Sequence, residues 1–160
     1  MQISVGDTIP SATFVRMGAE GPEQIALKDI TTGKKVIIFG LPGAYTGVCS
    51  TAHVPSFIAA MDDLKAKGVD EVICVSVNDP FVMGAWSQDQ NVDDRVMMVA
   101  DGSAAFTKAT GLGLDLTERG LGLRCQRFSM VVVDGVVQSL HIDPAGSFED
   151  TSAEKMLGEL

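Results

Sequence analysis

The sequence is poor in three features that define common classes of protein: long apolar runs, basic patches and paired cysteines. No apolar run approaches about 20 residues, the length that a transmembrane helix needs, so we expect no membrane partner. Lys and Arg number 12 against 21 Asp and Glu, for a net charge of −9, and only Lys34–Lys35 places two basic residues side by side. A chain this acidic is not attracted to phosphate backbones, so nucleic acid is not an expected partner.

Cysteine is also scarce, and its three positions form no known framework. The chain has three cysteines, Cys49, Cys74 and Cys125, which lie far apart and form no CxxC motif. An odd number of cysteines at this spacing excludes a disulfide scaffold and a zinc ribbon. The first residues lack the basic and apolar segments of a secretion signal. We therefore expect a reducing compartment: the cytoplasm, or the mitochondrial matrix or plastid stroma if a transit peptide has been removed.

The rest of the composition is typical of one globular domain. A chain of 160 residues, 46% of them hydrophobic, can bury a substantial core. No linker, repeat or low-complexity segment divides it, so we expect a single domain over residues 1–160. Short apolar runs predict buried strands at 36–39, 71–77 and 96–100.

Apolar spacing, capping residues and glycine stops predict four helices. They are 54–64, stopped by Gly68; Pro80 to about Gln90, capped from Asn78-Asp79; Ser103–Thr110, opened by Ser103 and closed by Gly111; and a C-terminal helix opened by a capping box of Thr151 and Glu154. Asp134-Gly135, between 127–133 and 136–142, is a dipeptide favoured in type I′ hairpins. Alternating strands and helices followed by a hairpin predict an α/β fold with a mixed central sheet and helices on both faces, and a thioredoxin-like sandwich fits this order.

The residues with chemical potential are concentrated in 39–57, FGLPGAYTGVCSTAHVPSF. Cys49 follows a strand and a Gly/Pro-rich loop, at the start of a predicted helix, where free N–H groups and the helix dipole favour a thiolate over a thiol. Thr46 offers a hydroxyl that can orient an incoming oxygen, and Pro42, which lacks an N–H, can enclose the sulfur. The structural alternative is that Cys49 is a small buried hydrophobe.

PGAYTGVCS resembles the P-x-x-x-T-x-x-C arrangement of the peroxiredoxins. HVPSF, VICVSVNDPFVMGAW and RFSMVV, in this order, resemble the type II, or peroxiredoxin-five-like, group, closest to its plant and bacterial glutaredoxin-dependent members. The resemblance extends from about residue 5 to residue 142, although Gly47 stands where many members carry proline. It implies a thioredoxin-like fold and a peroxidase that reduces hydrogen peroxide and alkyl hydroperoxides.

The resemblance also implies a role for each of four residues. Cys49 would be the peroxidatic cysteine, which attacks the terminal peroxide oxygen and becomes a sulfenic acid. Thr46 would hydrogen-bond the thiolate and the peroxide, Pro42 would shield the sulfur, and Arg127 would stabilise the thiolate and polarise the O–O bond. No cofactor and no metal are implied, and the expected partners are small peroxides, a thiol reductant and a second copy of the chain in a homodimer.

The sequence leaves the regeneration of Cys49 open. The region 148–153, where some members of the group carry a second redox cysteine, contains no sulfur here. Cys74 matches a cysteine of the plant-type members that is a candidate for resolving the sulfenic acid, but its place in an apolar strand favours the core. Cys125 shares a face with Arg127 if the strand of Arg127 already extends that far, and is otherwise a packed or loop thiol. We therefore expect a one-cysteine cycle in which glutathione, glutaredoxin or thioredoxin reduces the oxidised Cys49. The alternative is a redox-sensing or holdase-like binding protein that is switched by oxidation of Cys49.

Other positions have both a functional and a structural interpretation. His53, four residues after the reactive cysteine, can be a base for that thiol or a zinc ligand with His141, but a metal site needs more than two ligands. The glycine-rich segment 111–123 matches no phosphate-loop motif and, with its five leucines, is expected to be an irregular surface loop at a dimer interface. Trp86 and Phe81 are expected in the core, with an interface position as the alternative.

Overall fold

Nine strands and five helices make up the fold in the computed structural model, which describes residues 1–160. The strands are β1 (Thr13–Gly18), β2 (Gly21–Ala26), β3 (Lys35–Gly40), β4 (Glu71–Ser76), β5 (Met97–Ala100), β6 (Gly113–Leu116), β7 (Gly122–Cys125), β8 (Arg127–Val133) and β9 (Val136–Asp143). The helices are α1 (Leu27–Thr31), α2 (Val54–Ala66), α3 (Pro80–Asp89), α4 (Ala105–Thr110) and α5 (Ala153–Leu157), with a π-helical turn at Cys49–His53 and a 3₁₀ turn at Thr117–Arg119. None of these helices combines the length and the apolar character that crossing a membrane requires.

Seven of the strands form one sheet in the order β2-β1-β5-β4-β3-β8-β9, and β6 and β7 pair separately. The central strands β3, β4 and β5 are parallel, because α2 and α3 cross over between them, and every other neighbouring pair is antiparallel. Strands covered on both faces carry apolar residues on both sides, which explains the continuous apolar runs at 36–39 and 72–75. The predicted mixed sheet is confirmed.

Two apolar cores lie on opposite faces of this sheet. Ile37 and Phe39 of β3 belong to the core beneath α2, α3 and α5. Val36 and Ile38, which alternate with them, belong to the core beneath α1 and α4. Helices therefore cover both faces, and the predicted thioredoxin-like α/β sandwich is confirmed.

The predicted turn signals hold at the ends of several elements. Asp134 and Gly135 have φ angles of +47° and +80°, the left-handed conformation that a type I′ turn between β8 and β9 needs. Asp79 accepts a hydrogen bond from a first-turn N–H of α3, and Pro80 begins that helix. Gly111 ends α4 in the left-handed conformation.

Two predicted helix caps are wrong. Ser103 does not open α4, because the buried carboxylate of Asp101 accepts the hydrogen bonds of two backbone N–H groups in its first turn. Ser152, rather than Thr151, caps α5. The hydroxyl of Thr151 instead donates to the carboxylate of Asp143.

Two elements go beyond the predicted order. The β1–β2 hairpin adds two antiparallel strands at one edge of the sheet, and apart from the buried Phe14 its residues are half-buried or exposed and lack the apolar run that marks the central strands. Segment 111–123 is not irregular, because it contains β6, the 3₁₀ turn and part of β7. Leu112 is fully buried and Leu123 is exposed, so only part of this segment is surface.

Candidate active site

Cys49 lies where the chain leaves the carboxyl end of β3 and turns into α2. A loop over 41–48 leads into the π-helical turn, of which Cys49 is the first residue, and α2 begins only at Val54. Val48, His53 and Val54 all have right-handed helical backbone angles, so the π-helical turn continues directly into α2. Pro55 therefore lies inside a continuous helical segment, where it has no N–H to donate to the preceding turn. Cys49 is only 1% exposed, so a small oxidant reaches it far more easily than a large molecule does.

A guanidinium from a distant part of the chain contacts the sulfur of Cys49. Arg127 begins β8, the strand beside β3, and its Nη2 donates a hydrogen bond to Sγ of Cys49 at 3.2 Å. The ring centroid of Phe148 lies 5.8 Å from the guanidinium carbon, within the range of a cation–π contact. Arg127 is buried, and its charge is permanent at physiological pH. The guanidinium therefore places a permanent positive charge against the sulfur of Cys49.

His53 holds the other side of this guanidinium. Nη1 of Arg127 lies 2.9 Å from Nδ1 of His53, and Nε2 of His53 lies 3.1 Å from the carbonyl oxygen of Thr151. Because a guanidinium only donates and a carbonyl only accepts, Nε2 must carry the proton and Nδ1 must be bare. Burial, and then the charge of Arg127, lower the pKa of His53 to about 3. Both nitrogens are occupied, so the hypothesis that His53 is a base for Cys49 is wrong.

A buried carboxylate fixes the loop that presents the Thr151 carbonyl. Asp143, the last residue of β9, accepts hydrogen bonds from the N–H groups of residues 149–151 and from the hydroxyl of Thr151. Burial acts to raise the pKa of Asp143, but these hydrogen bonds outweigh it and lower the pKa. Ser129 on β8 donates its hydroxyl to the same Thr151 carbonyl at 2.5 Å. The acceptor for His53 is therefore held from both sides.

The loop before Cys49 contains the two other predicted site residues. The hydroxyl of Thr46 donates to the carbonyl of Gly43 at 2.7 Å and makes no hydrogen bond to the Cys49 sulfur in this structure. The lone pairs of Thr46, not its proton, are thus free for an incoming O–H group. Pro42 and Arg127 both line a small cavity of about 30 Å³, whose lining includes neither Thr46 nor Cys49.

Hydrogen bonds anchor this loop and the following turn to α3. Tyr45, in the left-handed conformation with φ +62°, donates its hydroxyl to Asp89 at 2.7 Å. The indole N–H of Trp86 donates to the hydroxyl of Ser50 at 2.9 Å. Trp86 is fully buried, as predicted, whereas Phe81 is 64% exposed and the core prediction for it is wrong.

The other two cysteines are buried and uncharged. Cys74 lies on β4 in the same apolar core as Cys49, as expected, whereas Cys125 lies in the core on the opposite face of the sheet. Gln126 separates β7 from β8, so the strand of Arg127 does not extend to Cys125, and the condition for the two residues to share a strand face is not met. Burial raises the pKa of Cys125 to about 12 and raises that of Cys74 well above its ordinary value. All three thiols are free.

Two residues of the site region, Asp143 and Arg124, were not predicted from the sequence. Asp143 ends a strand before the turn residues Pro144 to Ser147, a position where a carboxylate often binds loop N–H groups, and that signal was available. Arg124 donates a hydrogen bond to the carbonyl of Pro42 at 3.2 Å, and nothing in its sequence surroundings indicates that contact.

The site offers no set of metal ligands. Nowhere do three His, Cys, Asp or Glu side chains come together as a metal ion would require. His141, the second histidine in the zinc alternative, contacts Glu159 at the C-terminus, while both nitrogens of His53 are occupied elsewhere.

Comparisons with known proteins show the family to which this chain belongs. The redoxin family profile matches residues 4–157. Peroxiredoxin-2D of Arabidopsis thaliana is 44% identical over 159 residues, which cover 99% of this chain and 98% of that protein. Mitochondrial Peroxiredoxin-2F of the same plant is 49% identical over 135 residues, which cover 84% of this chain and 67% of that protein. The crystal structure of reduced Prx3 from Vibrio vulnificus in complex with hydrogen peroxide is 45% identical, with a TM-score of 0.94 and 99% of both chains covered.

These matches identify the family of the chain more closely than the fold alone can. A thioredoxin-like sheet is shared by proteins with many functions, and only the site and a close relationship over the whole chain can assign an activity. Here a buried thiol lies against a fixed guanidinium, and the full-length relatives are peroxiredoxins. The chain is a thiol peroxidase and belongs to the type II peroxiredoxins of the redoxin family.

Proposed function

We propose that Cys49 is the residue that reduces the peroxide. Its thiolate attacks the terminal oxygen of hydrogen peroxide or of an alkyl hydroperoxide, so that an S–O bond forms as the O–O bond breaks. The departing oxygen leaves as hydroxide or alkoxide and takes up a proton to become water or an alcohol. The sulfur loses two electrons and is left as a sulfenic acid, while the peroxide gains them.

Arg127 provides the charge that this displacement needs. Negative charge moves from the sulfur to the departing oxygen, and donors that are already in place lower the barrier for such a shift. Nη2 of Arg127 is 3.2 Å from Sγ of Cys49, and the bond from Nη1 to His53 keeps the guanidinium in that position before the peroxide arrives. Thr46 accepts a hydrogen bond from the peroxide O–H, and Pro42 shields the sulfur from water.

A thiol reductant completes a cycle with one reactive cysteine. The thiolate of glutathione attacks the sulfenic sulfur, an S–S bond forms, the S–O bond breaks and hydroxide leaves to become water. A second thiol, from glutathione or glutaredoxin, then attacks the glutathione sulfur and releases the Cys49 thiolate; thioredoxin is the alternative dithiol reductant. Cys74 and Cys125 are buried as neutral thiols, which supports this cycle over an internal disulfide.

The hydrogen bond from Arg127 to the Cys49 sulfur is the observation that carries the proposal. In the test, Cys49→Ser and the control Cys125→Ser are compared for peroxide consumption with glutathione and glutaredoxin. Cys49→Ser should lose at least about a thousandfold in rate, since removal of a nucleophile costs that much or more, whereas Cys125→Ser should stay within about twofold. Undiminished turnover by Cys49→Ser contradicts the proposal, and a single stoichiometric oxidation by the unaltered protein favours the redox-sensing alternative.

Mass spectrometry of the peroxide-treated protein tests the reductant. Glutathione attached to Cys49 after treatment supports the one-cysteine cycle. A disulfide between Cys49 and Cys74 would contradict it.

We also propose a reducing compartment and a homodimer. Relatives of this chain include chloroplastic and mitochondrial peroxiredoxins, and three unpaired cysteines fit the cytoplasm, the mitochondrial matrix or the plastid stroma. The β6–β7 hairpin exposes Leu123, which supports segment 111–123 as the interface. Sedimentation should show a dimer that Leu123→Glu dissociates, and a monomeric unaltered protein would contradict the homodimer.

A further inference from the structure

Arg124 is a second guanidinium beside the reactive loop, separate from Arg127. It lies half-buried on β7, where its Nε donates to the carbonyl of Leu121 at 2.9 Å and its Nη1 donates to the carbonyl of Pro42 at 3.2 Å. These two hydrogen bonds fix the plane of the guanidinium against the loop that leads to Cys49.

Gly43 is what allows this close approach. A Cβ atom at Gly43 would lie 2.6 Å from Nη1 of Arg124 and 3.2 Å from Cγ2 of Thr46. Only a residue without a side chain leaves room for the guanidinium at this point. The Arg124 guanidinium and the Thr46 side chain therefore both lie close to Gly43, in the loop that leads to Cys49.

This guanidinium has no acidic partner. The four ion pairs of the protein use other basic residues, namely Arg16, Arg95, His141 and Lys155. Nη2 of Arg124 has no hydrogen-bond acceptor in the protein, although acidic residues outnumber basic ones by 21 to 12. The group that a planar guanidinium binds best, through two parallel hydrogen bonds, is a carboxylate.

We propose that Arg124 binds the carboxylate of an anionic reactant and thereby favours such reactants at Cys49; the inference rests on the proposed function of that cysteine. Two reactants of the cycle can carry the carboxylate: a fatty-acid hydroperoxide in the oxidation step and glutathione in the reduction step. The net charge of −9 repels both, so a local cation is needed to bring them to the loop. Hydrogen peroxide and dithiothreitol carry no carboxylate and gain nothing from Arg124.

The test measures each half-reaction with one anionic and one neutral reactant, in the unaltered protein and in Arg124→Gln. Stopped-flow measurements give the oxidation rate constants for linoleic acid hydroperoxide and hydrogen peroxide, and the rate constants for reduction of the sulfenic acid by glutathione and dithiothreitol. The anionic-to-neutral ratio should fall about tenfold in the half-reaction whose reactant Arg124 binds, the usual effect of one charge-assisted hydrogen bond. Because each ratio is taken within one variant, a general effect of the substitution on Cys49 cancels.

Arg119→Gln is the matched control, because it removes the same charge from the exposed 3₁₀ turn of the same segment. Its two ratios should stay within about twofold of the unaltered protein. The proposal is overturned if both ratios are unchanged in Arg124→Gln, or if Arg119→Gln lowers them equally. Should the glutamine variant fail to fold, Arg124→Lys decides: the loss of the planar fork should lower a ratio at least about threefold, and unchanged ratios overturn the proposal. Failure of the unaltered protein to react with hydrogen peroxide would instead refute the proposed function.

Discussion

Acid should destabilise this protein through His53, because the folded state cannot accept a proton there. The ring is fully buried, Nδ1 faces the Arg127 guanidinium, and the pKa of His53 is lowered from 6.5 to about 3. Between these two values the unfolded chain binds a proton that the folded protein does not. The free energy of unfolding is therefore highest above pH 6.5 and decreases as the pH falls towards 3.

The size of this effect follows from the width of the pKa shift of His53. Each pKa unit corresponds to about 1.4 kcal/mol, so the whole shift contributes about 5 kcal/mol. Most of this loss of stability occurs between about pH 5 and pH 3. Lowering the pH from about 7 to about 5 should therefore reduce the free energy of unfolding by about 2 kcal/mol. Asp143, whose pKa is lowered as well, adds its own loss only at lower pH, below the ordinary value of 3.8.

Urea denaturation at the two pH values measures this difference. His53→Asn keeps an acceptor oxygen for Arg127 and does not titrate, so most of the 2 kcal/mol decrease should disappear, whatever the substitution costs at neutral pH. His141→Gln, at the other histidine of the chain, is the matched control and should retain the decrease. If His53→Asn shows the same decrease as the unaltered protein, the assignment of a bare, buried Nδ1 is refuted.

Three further predictions concern Arg127, Asp143 and the order in which the cysteines react. Arg127→Lys should slow the oxidation of Cys49 by peroxide about a hundredfold in stopped-flow measurements. The reason is that one ammonium group cannot bond both Cys49 and His53 in the planar geometry of a guanidinium, and an unchanged rate would contradict the proposed charge stabilisation. Asp143→Asn should lower the free energy of unfolding near neutral pH by about 2 kcal/mol in urea titrations, since an amide cannot replace all the hydrogen bonds that the carboxylate accepts. Iodoacetamide should modify Cys49 long before Cys125 in the folded protein, because burial raises the pKa of Cys125 to about 12; mass spectrometry after brief treatment checks the order, and early labelling of Cys125 would contradict it.

The parts of the fold that follow local rules were predictable from the sequence. The continuous apolar runs indicated β3, β4 and β5, because strands covered on both faces need apolar residues throughout. Asp79-Pro80 and Asp134-Gly135 have backbone preferences of their own, so the start of α3 and the β8–β9 turn agreed with prediction. The β1–β2 hairpin was missed because pairing with a neighbour, and not an apolar pattern, defines it.

The site was predictable only in part, for a related reason. Cys49, Thr46 and Pro42 lie within eight residues of each other, and their spacing is visible in the sequence. Arg127 was found through the resemblance alone, since nothing local indicates that a strand end 78 residues away contacts the sulfur. Contacts such as these, and that of His53 with Thr151, depend on which strands become neighbours, which local patterns do not encode.

The chain of hydrogen bonds from Asp143 through Thr151 and His53 to Arg127 makes the reactivity of the thiol depend on the last part of the polypeptide. A protease cut in the exposed turn at 144–146 would leave the sheet paired, yet the loop that presents the Thr151 carbonyl to the imidazole would lose its covalent link to β9 and depend on hydrogen bonds alone. The reactivity of Cys49 towards peroxide should then decrease while the strands remain paired. The rate of peroxide consumption should therefore reveal a cut at 144–146.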